Sequence, residues 1–310
     1  MEFEIIEDVS VNNLKGIGDL MKAYGKIHGF GASDIYNAYE ILKEIITKSD
    51  LRFISFTANI VATGIRGLIA DLINRKAFNV VITTGGTIDH DIARSLGGKY
   101  IKGSFDSNDV ELKQRGLHRL GNVFIEFGDY GLKIENFVKE KIGNWSNKKK
   151  IWGVYEILWE VGKEIKDEKS ILRNAFLNNI PIFVPGIYDS SFGTNLFIYS
   201  QFTPLILDYQ IDMKKISELI FSSKTSGALI LGGGISKHHV IWWNQFKDGL
   251  DYSVYISTAD EHDGSLSGAR TREAISWNKI KYSARRADLK CDVTIALPIL
   301  IAALKGDGII

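Results

Sequence analysis

Trp277 and Lys279 stand two residues apart in "EAISWNKIKY", Glu273 to Tyr282. Read as a strand, the stretch alternates its side chains, so Ile275, Trp277 and Lys279 share one face and an ammonium follows two large apolar groups. A lysine in an apolar pocket loses hydration of its charged form. Its pKa falls, and the neutral amine becomes a nucleophile for an imine or carbonyl carbon. The same spacing also describes a strand end whose lysine snorkels to solvent. The local pattern does not choose between the two.

Two glycine clusters add a binding chemistry. "LILGGGISKHH" sets Gly232, Gly233 and Gly234 between an apolar run and a helical pattern, where bare backbone can meet a phosphate at a helix start. It lacks the spacing of the dinucleotide fingerprint, so a tight turn without a ligand fits as well. "TTGGTIDHD" supplies a second small-residue turn, Thr84 to Gly86, ahead of Asp89 and Asp91, which read as caps of the helix they begin. Two such strand ends in one sheet suit a ligand with two phosphates better than either alone. His238 and His239 read as capping or packing residues or as acid-base groups. No further His or Cys lies at metal-ligand spacing, so no metal site is expected. "DGSLSGART", Asp263 to Thr271, is by itself a loop.

The elements that must position these residues repeat one order. The apolar runs "LRFISF", "AFNVVI", "IPIFVPG", "GALIL" and "YSVYI" each open into small or polar residues and then a helical pattern. Such βα units predict an α/β fold with a Rossmann-like, largely parallel sheet flanked by helices, its ligands beyond the carboxyl ends of the strands. "SDIYNAYEILKEIITKS" predicts an amphipathic helix capped by Ser33, within a helical N-terminal extension over residues 1–50 of a single domain spanning 1–310. "GNWSNKKKIWG" reads as a solvated basic loop.

Bulk properties narrow the partners. With 310 residues, 45% of them hydrophobic, the chain can bury a large core. Its 38 Lys plus Arg balance 37 Asp plus Glu, which gives no electrostatic case for nucleic acid or an anionic membrane. The longest apolar run, "VTIALPILIAAL", has 12 residues with Pro298 inside. A bilayer span needs about 20, so a buried terminal element is expected. The opening "MEFEIIEDVS" lacks the basic-then-apolar order of a signal peptide. A single cysteine, Cys291, permits no intrachain disulfide; both features suit the cytoplasm.

The sequence resembles the deoxyhypusine synthase family from about Gly29 to Leu304. The likeness is densest in "TANIVATGIR", "TTGG", "LGNVF", "LGGGISKHH", "YISTADEHDGSLSGARTREAISWNKI" and "CDV". The resemblance implies an NAD-dependent enzyme that moves the aminobutyl group of spermidine onto one lysine of a translation factor precursor, working as a homotetramer. It implies that Lys279 carries the fragment as an imine and that His238 handles the proton. It places Trp277, Glu273, Tyr255, Gly264, Ser265 and Ser191 beside the amine. For NAD it implies Asn59, Thr84, Gly85, Gly86 and Asp189, then Gly232 to Gly234, with Thr258, Ala259, Asp263, Ser267 and Asp292.

The departures from the family pattern matter too. Thr194, in "DSSFGT", and Leu266, in "DGSLSG", stand where the family carries carboxylates, while Ala58, Ala62 and His90 replace polar or acidic groups near the nucleotide. An ammonium without an anionic partner in a narrow channel costs several kcal/mol. Three functions therefore stay open: the family reaction, a homospermidine synthase-like paralogue with another amine donor or a small-molecule acceptor, and a noncatalytic NAD-binding subunit.

Overall fold

The computed structural model describes residues 5–310; the first four residues of the acidic opening segment lie outside the described residues. Two compact units form, one from the chain up to Ser55 together with Leu219–Ile310, the other from Phe56–Glu218.

In the first unit the strands Ile280–Leu289, Leu250–Ile256, Ser226–Leu231 and Leu51–Phe56 lie side by side in that order. Leu250–Ile256 runs parallel to both of its neighbours, with Tyr255 opposite Ile230 on one side and Asp288 on the other. Every residue of Ser226–Leu231 is buried, as in parallel sheets covered on both faces. One cover is the helix Phe30–Lys48, which lays Ile35, Ala38, Leu42 and Ile45 on the sheet at helical spacing. It begins three residues before the expected cap. Gly29, at φ 64°, holds the N-cap position, and Ser33 sits inside the first turn with its Oγ on the Phe30 carbonyl. Glycine makes that start possible because the entry needs a left-handed residue.

The apolar run near the end forms the helix Val293–Gly306, which buries Ala296, Leu297, Leu300 and Leu304 despite Pro298 within it. Among the described residues no helix is long and apolar enough to cross a membrane.

In the second unit Val80–Ile82 pairs in parallel with Ile182–Phe183, and Ile151–Trp152 with Ile206–Leu207. An antiparallel sheet orders Tyr100–Lys102, Val123–Glu126 and Leu117–Leu120. The expected basic loop is largely helix, since Gly131–Lys148 continues to Lys148. Lys148 and Lys149 are paired with Glu160 and Glu156 of the next helix.

Asp89 and Asp91 do not cap their own helix, Gly85–Ser95. Both lie in its interior and are buried. Asp89 accepts the Ser191 and Phe192 N–H groups at 2.8 and 2.7 Å. Asp91 accepts those of Ile171 and Leu172 at 3.2 and 2.8 Å, plus the Ser170 hydroxyl at 2.7 Å. Each carboxylate thus meets the unpaired N–H groups of another helix, Ser191–Ser200 or Ile171–Leu177. Asp212 does the same for Val154–Glu164.

The architecture is α/β, with parallel strands flanked by helices, and the five apolar runs all contribute strands. Four of them lead into helices as expected. The fifth does not: after Leu250–Ile256 the chain makes two 3-10 turns, Glu261–Asp263 and Glu273–Ile275, before the strand Ile280–Leu289.

Candidate active site

The stretch Glu273 to Tyr282 corrects the strand expected there. Glu273–Ile275 is a 3-10 turn, Asn278 takes a left-handed conformation at φ 53°, and the strand starts only at Ile280. Asn tolerates that conformation better than most side chains. The turn, not strand alternation, brings the two side chains together: Lys279 Nζ lies 5.2 Å from the Trp277 ring centroid, within cation–π range. Lys279 is half-buried, whereas Trp277 is exposed over 63% of its surface.

Both border a cavity of 190 Å³, walled by Ile241, Tyr255, Leu266 and Ala274, with Glu273 as the carboxylate on its lining. Tyr255 is buried, and its hydroxyl has no hydrogen-bond partner among the described residues. Burial raises the pKa of that hydroxyl, so it stays protonated and able to donate to a guest.

The strand Ser226–Leu231 ends at Gly232 and Gly233, whose φ of 63° and 98° would strain any residue with a β-carbon. The helix Ile235–Asn244 follows, carrying both histidines. His238 is exposed and stacks on Trp242, with ring centroids 5.6 Å apart. Partial burial, and then the Lys279 charge, lower its pKa. His239 is pushed down to about 4, first by burial and then by His238, and is therefore neutral at physiological pH.

Lys237, between the glycines and His238, was not singled out in the sequence. It is 3% exposed, and its Nζ donates to the carbonyls of Leu266 at 2.9 Å and Ala269 at 2.5 Å while lying 4.1 Å over the Tyr255 ring. Burial lowers its pKa to about 8, with Asp288 and Glu273 opposing that shift. One signal points to it: Lys237, Val240, Ile241 and Asn244 share the buried face of this helix at helical spacing.

The loop after Leu250–Ile256 folds back on this helix. Gly232, Ala259 and Ser267 line a second, smaller cleft that shares Lys237 and Tyr255 with the first. Thr258 is exposed beside Ala259. Asp263 accepts the Ser265 N–H at 2.7 Å across Gly264, at φ 74°, so these three form a turn. Asp292 caps the helix Val293–Gly306 through the Thr294 N–H. Asp260 and Glu261 are taken up: the first pairs with Lys290, the second with Arg270 and Arg272.

The turn is closed by Gly268, where an added β-carbon would fall 1.8 Å from the Asp260 carbonyl oxygen. Gly268→Ala is therefore expected to destabilise the protein by at least the upper end of about 1–3 kcal/mol, read from the urea unfolding midpoint. An unchanged midpoint would contradict this packing.

The remaining expected residues gather in the second unit. An added β-carbon on Gly85 would lie 2.5 Å from that of Ser190, and one on Gly86 would lie 2.9 Å from that of Ala58, which precedes Asn59. Thr84 holds the N-cap position of Gly85–Ser95. Ser191 opens the helix Ser191–Ser200, and Asp189 is exposed just before it. Thr194 turns its hydroxyl to the Tyr188 carbonyl at 3.1 Å. His90 is buried, bonded to the Tyr100 hydroxyl at 2.8 Å, and pushed down to about 4, first by burial and then by the Arg94 charge. The expected site residues thus form two clusters, one in each unit, each at strand ends.

Among the described residues no group of three His, Cys, Asp or Glu side chains is placed to hold a metal ion. Gly85 and Gly86 are glycine because they pack closely on Ser190 and Ala58. Gly232 and Gly233 present bare backbone at a strand end, where a β-carbon would be strained, which suits a phosphate-bearing group.

Comparison with known proteins identifies the family. The family model "Deoxyhypusine synthase" matches residues 19–304. A Sulfolobus acidocaldarius protein named "Probable deoxyhypusine synthase" is 58% identical over 300 residues, covering 97% of this chain and 96% of the relative. A Thermoplasma acidophilum protein of the same name is 47% identical over 298 residues, covering 96% of each. The solved structure "Crystal Structure of a putative deoxyhypusine synthase from Entamoeba histolytica" shares the fold, with a TM-score of 0.64 at 19% identity over 96% of both chains. A chain with this turn, these glycines and relatives matched from end to end belongs to the deoxyhypusine synthase family of aminobutyl-transferring enzymes.

Proposed function

We propose that the protein is an NAD-dependent deoxyhypusine synthase that takes the aminobutyl group of spermidine and delivers it to one lysine of a translation factor precursor, as a cytoplasmic homotetramer. The observation that carries this reading is Lys279 Nζ set against the Trp277 ring on the rim of a mostly apolar cavity with Glu273 on its lining. NAD would be held at the cleft lined by Gly232, Ala259 and Ser267, and when bound it supplies the acceptor and donor of electrons at the carbon beside the donor amine. Within the chain, Glu273 pairs with a substrate ammonium, and Trp277 and Tyr255 lie along its methylenes. The Lys279 amine adds to the substrate imine carbon as the bond from that carbon to the diaminopropane nitrogen breaks. The released diamine takes both N–H hydrogens that the Lys279 amine loses in becoming an imine. His238, whose pKa is lowered first by partial burial and then by the Lys279 charge, is the residue assigned to accept a proton.

A second reading, another amine as donor, gains support from one observation. Leu266 lines the cavity where the family carries an acid, and the neighbouring Asp260 and Glu261 are already paired with cations. Glu273 is the carboxylate left on that lining. One experiment separates the readings: incubate the protein with NAD, the acceptor protein and either spermidine or shorter diamines, reduce with borohydride, and map the adducts by mass spectrometry. An aminobutyl adduct on Lys279 from spermidine with a labelled acceptor supports the first. An adduct only from another amine supports the second. No adduct from any amine removes both.

A further inference from the structure

Lys237 is more deeply buried than Lys279, and its surroundings account for all of its donors. An ammonium has three N–H groups. Two meet the Leu266 and Ala269 carbonyls, and the Tyr255 ring face lies 4.1 Å away to receive the third. The side chain starts on the helix that carries His238 and ends on the loop that carries Leu266 and Ser267. It also stands, with Tyr255, on the lining of both clefts: the one with Gly232, Ala259 and Ser267, and the one with Trp277 and Lys279.

That placement is costly for a purely structural residue. A buried ammonium binds its proton less tightly than a free one, and here the pKa falls to about 8. An apolar side chain would fill the same space without that penalty, but it could not grip two carbonyls. The rest of the loop has other anchors. Thr271 is held by Asp288 at 2.9 and 2.6 Å, and Arg270 by Glu261. The carbonyls of Leu266 and Ala269 are joined to the His238 helix through Lys237 Nζ.

We propose that Lys237 is a positioning residue. Its ammonium pins the Leu266–Ala269 loop to the helix after the triple glycine and so fixes the wall shared by the two clefts. The consequence for turnover rests on the function proposed above, with Lys279 as nucleophile. The pinning itself does not.

Three measurements test it. Lys237→Met keeps the aliphatic stem and removes every donor, whereas Lys237→Arg keeps donors. In Lys237→Met, hydrogen exchange at the amides of residues 267–270 should accelerate by at least about tenfold, and Lys237→Arg should recover part of that loss. Exchange equal to wild type in Lys237→Met overturns the proposal. With saturating amine, the rate of adduct formation on Lys279 should fall by about tenfold in Lys237→Met while the amine concentration for half-maximal rate changes little, the mark of lost positioning. An unchanged rate overturns the positioning role. In the unaltered protein, Lys237 should resist a water-soluble acetylating reagent that labels exposed lysines such as Lys290. Equal labelling overturns the proposal even if both variants fail to fold. If the unaltered protein forms no adduct with any amine, the function proposed above fails, while the exchange and labelling results still decide the pinning.

Discussion

Lys279→Arg is expected to abolish the borohydride-stable adduct and to lower turnover by at least about 10³-fold, as loss of a covalent nucleophile does. The physical reason is the lone pair. A lysine can release its proton and attack carbon, whereas a guanidinium stays charged in a protein. The replacement preserves what else Lys279 contributes, since a cation still faces Trp277 and still lies near His238. Its melting temperature should therefore stay within a few degrees of wild type, which separates lost chemistry from lost folding. Adducts would be sought by peptide mass spectrometry. A Lys279→Arg protein that still accumulates an aminobutyl adduct at the wild-type rate would place the nucleophile elsewhere.

Asp91→Ala is expected to cost about 3–5 kcal/mol of stability. Asp91 has no exposed side-chain surface and receives Arg66 Nε at 2.6 Å, together with the Ser170 hydroxyl and two N–H groups at the start of Ile171–Leu177. Removing the carboxylate leaves those donors unpaired in the interior. It also leaves a guanidinium that is 4% exposed with, among the described residues, only Asp167 as its ion-pair partner. Urea denaturation would read the loss as a lower midpoint at similar slope. The double variant Arg66→Met with Asp91→Leu should recover part of it, because a buried pair removed whole costs less than a pair cut in half. By contrast, breaking the exposed pair of Lys290 with Asp260 should change stability by no more than about 1 kcal/mol. Equal small losses at both places would mean that the Asp91 network is not buried as described.

Two features of the candidate site were legible along the chain because their signals are local. The triple glycine at the end of an apolar run marks a strand end with left-handed backbone, and Gly232 and Gly233 adopt it. The nearness of Trp277 to Lys279 was legible too, although through the wrong element. Two residues of separation bring side chains together on a strand face, and here a turn through Asn278 does so instead. Periodicity could not reveal that turn, since its cause is one left-handed asparagine.

By itself, the sequence determined the run of parallel strands, the placing of small residues at their ends and the pairing of an aromatic ring with an amine. These follow from backbone sterics and from patterns a few residues long. Only the tertiary structure decided that Lys237 is buried under two carbonyls about thirty positions away, that Asp89 and Asp91 serve helices roughly eighty to a hundred positions on, and that Asp260 and Glu261 are already engaged. A carboxylate or ammonium reads the same in sequence whether water or a distant backbone group will solvate it. Which of the two does so is settled when the chain closes on itself.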